Sequence, residues 1–155
     1  MDALDRKILS ELQNDGRISV TDLAERVGLS LSAAHRRVRE LELSGAIQGY
    51  RAIVSPSAVD LGFETIVFVT ISRTDLDTIE AFEKAVTAIP SVVDAERLFG
   101  DPDYLLRVAA RDLDSFATLR DQKLATLPGV HRLISTIVMK RIIDNRPVPL
   151  ATRDN

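Results

Sequence analysis

The apolar positions of this chain change period once. Up to about residue 45 they recur at helical spacing, and from about residue 64 short β-branched runs alternate with helical stretches. Leu4, Ile8, Leu9 and Leu12 share one helical face, and Asp15-Gly16 ends that stretch. Val20, Leu23, Ala24 and Val27 follow at i, i+3, i+4, i+7, with Ser19 as N-cap and Asp22 three residues on. Gly28 supplies a turn. Ser30 or Ser32 then caps a third helix with Ala34, Val38 and Leu41 on its apolar face, and Gly45 stops it. Ile47 to Ser55 reads as a short strand ended by Pro56.

The second pattern predicts a strand at Thr65–Ser72 and a helix carrying Ile79, Phe82, Val86 and Ile89. A strand Val92–Phe99, a turn Gly100-Asp101-Pro102-Asp103 and a strand Tyr104–Ala110 come next. Asp112 caps a helix bearing Leu113, Phe116, Ala117 and Leu124, and a long strand runs from Val130 to about Ile143. The order β-α-β-β-α-β is the ferredoxin-like arrangement. Ile89-Pro90-Ser91-Val92 and Leu127-Pro128-Gly129-Val130 recur as helix exit, Pro turn and strand start, which suits two βαβ halves. The fold class is therefore α+β: a three-helix helix-turn-helix unit, then a βαββαβ domain. The boundaries expected are residues 1–54, a linker 55–63, a domain 64–143 and a flexible tail 144–155, extended or disordered around Pro147 and Pro149.

Charge sharpens this division. The chain has 155 residues, 45% hydrophobic, with net charge −3, enough for one average domain or two small ones. Residues 1–55 hold eight Lys/Arg and eight Asp/Glu, net zero, and residues 56–155 hold twelve against fifteen, net −3. A globally basic chain would favour nucleic acid, and this one is not basic. Its positive charge is local: Arg36, Arg37 and Arg39 lie in the run Ser32 to Arg39, which contains no acid. An Arg-rich helix face is either a solvated surface or a nucleic-acid contact. Here it lacks interleaved acids and forms the second helix after a Gly turn, the layout that places a recognition helix in the DNA major groove. The candidate DNA-contacting residues are Ser30, Ser32, Ala33, His35, Arg36, Arg37 and Arg39.

Other chemistries are narrowed by composition. There is no Cys, so no disulfide, thiol nucleophile or thiolate metal site. With only His35 and His131, an all-His metal site is not expected. No catalytic residue, metal or cofactor is assigned: Asp101 and Asp103 form a carboxylate pair, but no nucleophile motif or phosphate loop accompanies them. The first residues are acidic where a signal peptide would be basic, and the longest apolar run, Ile66 to Ile71, is broken by Thr70. A cytoplasmic, non-membrane protein is expected. In the Gly100–Asp103 loop, backbone amides could converge on a carboxylate while the aspartates take an ammonium. The same residues also suit a plain β-turn.

Several motifs stand in an order that resembles a known family. Leu4-Asp5-x-x-Ile8-Leu9, Asp15-Gly16-Arg17 and Leu23-Ala24-x-x-Val27-Gly28-Leu29-Ser30 resemble the opening of the leucine-responsive regulator/AsnC transcription factors. Arg36-Arg37-Val38-x-x-Leu41-Glu42 and Gly45-x-Ile47-x-Gly49-Tyr50 resemble their recognition helix and first strand, and Gly100 to Leu106 and Leu127-Pro128-Gly129-Val130 their C-terminal signature. Leu31 departs from the pattern, since many members carry Pro there. The resemblance implies a regulator that binds double-stranded DNA and an amino-acid effector, as a homodimer often assembled into octamers. It also implies an effector pocket at Gly100, Asp101, Asp103 and Tyr104, with Ser135, Thr136 and Val138 on the last strand. Tyr104 is either part of that pocket or part of the core.

Overall fold

The computed structural model describes residues 1–150. Three helices open the chain: α1 (Ala3–Asn14), α2 (Val20–Val27) and α3 (Leu31–Leu43). Each begins at a side-chain cap. Asp2 and Asp5 exchange backbone and carboxylate bonds around the start of α1, Ser19 accepts from Asp22 N–H at 3.0 Å, and Ser30 accepts from Ala33 N–H at 3.3 Å. Such caps contribute about 0.5–2 kcal/mol each. Gly28 ends α2 at φ 76°, ψ 40°, left-handed backbone that only glycine adopts freely. Buried Ile8, Leu23, Val27 and Leu41 form the centre of this unit.

The segment 47–55 is not a strand, contrary to expectation. A strand needs a neighbour to take its N–H and C=O groups, and among the described residues none lies beside it. Pro56, expected to end that strand, instead opens a 3-10 turn, Pro56–Val59, inside the expected linker.

The second unit is built on β1 (Phe63–Ile71), α4 (Leu76–Thr87), β2 (Val92–Arg97), β3 (Tyr104–Ala110), α5 (Leu113–Leu119), a π-turn Arg120–Leu124 and β4 (Val130–Ile137). The strands form one sheet in the order β2-β3-β1-β4, every pair antiparallel. This is the expected ferredoxin-like topology. Alternation in β1 sends Thr65, Val67, Val69 and Ile71 to one face. There they pack with Leu106, Val108, Phe82, Val86, Phe116 and Leu124. The two Pro turns occupy equivalent places and even share a bond, Val92 N–H to Ile89 C=O and Val130 N–H to Leu127 C=O.

Several expected boundaries move. β4 ends at Ile137, short of Ile143, because its partner β1 starts at Phe63; Val138 N–H to Glu64 C=O, 3.0 Å, is the last rung. β2 ends at Arg97, and Phe99 is fully exposed. Ile89 lies beyond the end of α4, and Leu113 and Ala117 face solvent on α5 while Phe116 and Leu124 are buried. By compactness the chain divides into Val54–Arg141 and a unit of Met1–Ile53 joined by the segment from Ile142. Residues 144–155 of that segment were expected as a flexible tail, extended or disordered. The Val148 N–H donates to Gln13 Oε1 at 2.7 Å and its C=O accepts from Gln13 Nε2 at 3.3 Å, a pair of bonds to α1. Residues 151–155 of the expected tail lie outside the described residues. Among the described residues no helix is long and apolar enough to cross a membrane.

Candidate functional site

With Ser30 fixed as the cap of α3, the helical period decides which side chains face outward. Ser32, His35, Arg36 and Arg39 fall at i, i+3, i+4, i+7, and all four are exposed. Arg36 pairs with Glu40 at 2.9 Å, an exposed i,i+4 contact worth about 0.3–0.5 kcal/mol and easily exchanged for another anion. Arg39 and His35 have no ion-pair partner among the described residues. His35, Arg36, Val38, Arg39 and Glu42 border a cleft of about 600 Å³ with Val20 of α2.

Arg37 is placed differently. It sits on the inward stripe with Ala34, Val38 and Leu41, and its guanidinium reaches α1. There it donates to Asp2 Oδ2 at 2.8 Å and Asp5 Oδ1 at 2.6 Å, the same carboxylates that form the α1 capping box. The Asp5 backbone N–H and then Arg37 hold the Asp2 carboxyl below the usual carboxylate value, and Asp2 and Asp5 raise the Arg37 guanidinium in turn. Ala33 is half-buried beside it.

In the second unit, Gly100–Asp103 joins β2 to β3. Asp103 ties this loop to the end of β1: its N–H donates to Val69 C=O at 3.0 Å and its Oδ2 accepts Ile71 N–H at 2.8 Å. Leu98 N–H closes the loop onto Asp103 C=O at 2.7 Å. Asp101 points outward, where its Oδ1 accepts from Thr70 Oγ1 at 3.3 Å and Arg132 Nη2 at 3.4 Å. Phe68, Thr70, Asp101, Pro102, Arg132 and Ile134 enclose a cavity of about 190 Å³. Tyr104 goes into the core. It is 3% exposed, its ring lies 4.4 Å from that of Phe82, and its hydroxyl donates to Glu83 at 3.0 Å. Burial, and then the Glu83 carboxylate, push its hydroxyl up to about 12.

The remaining expected residues are not gathered around this cavity. Ser135 sits across β1 from Val67 on the helix-covered side, and Thr136 sits across from Ile66 on the other. Val138 lies past the strand end, and Gly100 is exposed on the loop.

A helix-turn-helix ahead of a ligand-binding ferredoxin-like unit also emerges from comparison with known proteins. The model of the AsnC-type helix-turn-helix domain matches residues 1–42, and that of the Lrp/AsnC ligand binding domain matches residues 64–148. This chain belongs to the Lrp/AsnC family. The Leucine-responsive regulatory protein of Escherichia coli strain K12 is 37% identical over 153 residues, 99% of this chain and 93% of its own length. A transcriptional regulator of Neisseria meningitidis, solved as an L-Met complex, superposes with TM-score 0.91 at 36% identity over 97% of each chain. An AsnC family regulator of Agrobacterium tumefaciens does so with TM-score 0.91 at 33% identity, again over 97% of each chain. The chain is thus a transcriptional regulator, with a DNA-binding helix-turn-helix domain and a ligand-binding domain, and not an enzyme.

In this Lrp/AsnC chain the sequence reading missed two groups of residues. One is the Asp2–Asp5 box that engages Arg37. Its signal was available, since Arg37 stands three residues after Ala34 and so continues the apolar stripe. The other is Phe68, Thr70, Arg132 and Ile134. Alternation gave each strand two faces, but no local signal gave the register that sets Phe68 opposite Ile134 and Thr70 opposite Arg132.

Proposed function

We propose that this regulator reads DNA through the exposed stripe of α3 and responds to an amino acid at the β2–β3 loop. The single observation that carries the DNA reading is the split among the arginines. Arg36 and Arg39 stand on the outward stripe with Ser32 and His35, while Arg37 is engaged by Asp2 and Asp5. Arg36 and Arg39 supply phosphate or guanine contacts, and Ser32 and His35 add donors beside them. Ser30 sets the helix start, Ala33 lets the helix approach, and Arg37 fixes α3 to α1. The amino-acid reading draws on the L-Met complex of the Neisseria relative and on the opposed charges of Asp101 and Arg132.

The regulator acts in the cytoplasm as a homodimer, the building unit of an octamer. Two features support pairing. The sheet face carrying Ile66, Phe68, Leu105 and Ile134 is covered by no helix of its unit, and segment 47–55 holds β-branched and aromatic residues without a neighbouring strand. Two copies about a two-fold read half-sites about 34 Å apart.

The test uses duplexes selected from a random pool by the wild-type protein. Arg39→Ala and Arg36→Ala should leave the melting temperature unchanged. Each should either shrink the log–log salt slope by roughly 0.9 for every phosphate left without its arginine or cost about 1–3 kcal/mol at one base pair. Arg37→Ala should lower the melting temperature. Wild-type binding by both Arg36→Ala and Arg39→Ala would remove the DNA reading, and a monomer by light scattering at micromolar concentration would remove the dimer.

A further inference from the structure

The helix-covered side of the sheet carries two cavities that share Ser91, Leu119 and Lys123 in their walls. The larger, of about 480 Å³, lies toward the end of α4 and is walled by Ala88, Ile89, Pro90, Leu127 and Pro128. The smaller, of about 380 Å³, adds the polar side chains of Arg111, Ser115, Thr118 and Gln122. Both volumes lie in the range of small-molecule sites, about 300–1,000 Å³. Neither cavity is lined by a carboxylate, although residues 56–155 hold fifteen Asp/Glu against twelve Lys/Arg. The π-turn Arg120–Leu124 sets the shared wall. Ala125 N–H closes it onto Arg120 C=O at 2.8 Å, which fits an extra residue into the turn. A regular helix would carry Leu124 off the face of Phe116. The longer turn keeps both in the core and leaves Lys123 where the two cavities meet. Lys123 has no ion-pair partner among the described residues, and the Ser91 hydroxyl makes no hydrogen bond among them. Ser91 is held in place by its C=O, which accepts Ala109 N–H at 2.9 Å. A cation and a hydroxyl thus stand between an apolar recess and a polar one.

We propose that this groove binds an amphipathic monocarboxylate, one carboxylate on a hydrocarbon body, at a site separate from the β2–β3 loop and from α3. The carboxylate lies at the shared wall, where the Lys123 ammonium and the Ser91 hydroxyl donate to it. The hydrocarbon body lies along Ile89, Leu119 and Leu127 between the two Pro turns, where the small side chain of Ala88 leaves room. The lining selects this class in three ways. A ligand ammonium, that of an α-amino acid included, would stand beside Lys123, like charge to like. No aromatic ring lines either cavity, so a nucleobase would find no stacking partner. A body rich in hydroxyls or amides would be desolvated against Ile89 and Leu127 without partners.

The experiment is calorimetric titration of the full chain with butanoate, hexanoate, octanoate, octylamine and 1-octanol. Affinity should rise from butanoate to octanoate by about two- to fourfold for each added methylene. Octylamine and 1-octanol should bind at least about tenfold more weakly than octanoate, because neither makes the charge-assisted contact. Lys123→Gln should lose about tenfold for octanoate, with a melting curve like wild type because Lys123 is exposed. Lys123→Arg should recover part of the loss. Ala88→Leu, at an exposed position just past α4, fills the recess and should remove the gain from hexanoate to octanoate while leaving butanoate unchanged. It serves as the test if Lys123→Gln does not fold. The proposal is overturned if octanoate does not bind at millimolar concentration, or if octylamine or 1-octanol binds as tightly. It is overturned equally if Lys123→Gln and Ala88→Leu both bind octanoate like wild type, which would place the ligand on another face. None of these outcomes bears on the DNA or amino-acid readings.

Discussion

In the helical unit the bonds that fix the α2 and α3 starts span three residues, Ser19 to Asp22 and Ser30 to Ala33. In the sheet unit the bond that fixes the candidate ligand loop, Asp103 to Ile71, spans 32. The proposed DNA-facing stripe is thus displayed by a regular helix whose start is set locally, and its side-chain directions follow from the period alone. The candidate ligand loop is positioned by strands that meet only when the whole sheet forms. A site of the first kind depends off its own helix only on the contacts that seat that helix, such as Arg37 with Asp2 and Asp5. A site of the second kind is sensitive to every element that sets strand register.

One glycine in each unit tests this most severely. Gly28 and Gly129 have nearly the same backbone, φ 76° and 71°. A Cβ on Gly28 meets nothing within 4 Å, whereas one on Gly129 would stand 2.4 Å from Thr78 Cγ2. Thr78 cannot turn aside freely, because its hydroxyl is bonded to the α4 cap, Asp75, at 2.9 Å. Gly28→Ala should cost about 1–2 kcal/mol, the left-handed penalty alone. Gly129→Ala should cost clearly more, and should displace β4 and weaken ligand binding. Equal losses in thermal unfolding would break the comparison.

Thr65 offers a smaller effect of opposite sign. It is completely buried in the sheet core, and its hydroxyl has no hydrogen-bond partner. Thr65→Val keeps the branched shape and removes an unsatisfied polar atom, so it should stabilise the sheet unit by about 1 kcal/mol. Denaturant unfolding would check it; a loss of stability would show that the hydroxyl is satisfied in solution.

The smallest effect is common to both units. The capping carboxylates Asp2 of α1, Asp75 of α4 and Asp112 of α5 are all held below the ordinary carboxylate value. The bonds responsible come first from Asp5 N–H for Asp2, from Thr78 N–H for Asp75, and from Ser115 for Asp112, which lies at about 2. A carboxyl depressed by folding contributes stability above its unfolded value near 4, and loses it as pH falls through the folded value. Melting temperature should therefore be flat from about pH 7 to 5 on account of these groups and decline between roughly pH 4 and 2. Asp112→Asn should make that decline shallower. A slope unchanged by this substitution would show that the cap is not the titrating group.

The two regions also differ in how well they could be read. Three helices, the caps of α2 and α3 and the exposed stripe were legible because each rests on neighbours within one or two turns. Arg37 was the exception in that unit, since its carboxylate partners lie 35 and 32 residues away on α1. In the sheet unit the order of elements was legible from alternation and Pro turns, and Asp101 of the singled-out loop lines a cavity. Tyr104 was left open between pocket and core, and Ser135 and Thr136 were grouped although they face opposite sides of the sheet. Alternation assigns a residue to one of two faces but does not say which face is which until pairing is known.

The sequence by itself determined the helix-turn-helix, the position of its basic stripe, the βαββαβ order and the family resemblance that comparison then showed. All of these follow from periods and caps acting over a few residues. Tertiary structure alone decided that Arg37 braces α1 while Arg36 and Arg39 stay outside, that Asp103 is consumed in holding its loop to β1, and that Arg132 and Phe68 join Asp101 around one cavity. It also decided where β4 ends, because a strand extends only as far as its partner's N–H and C=O groups remain to be met.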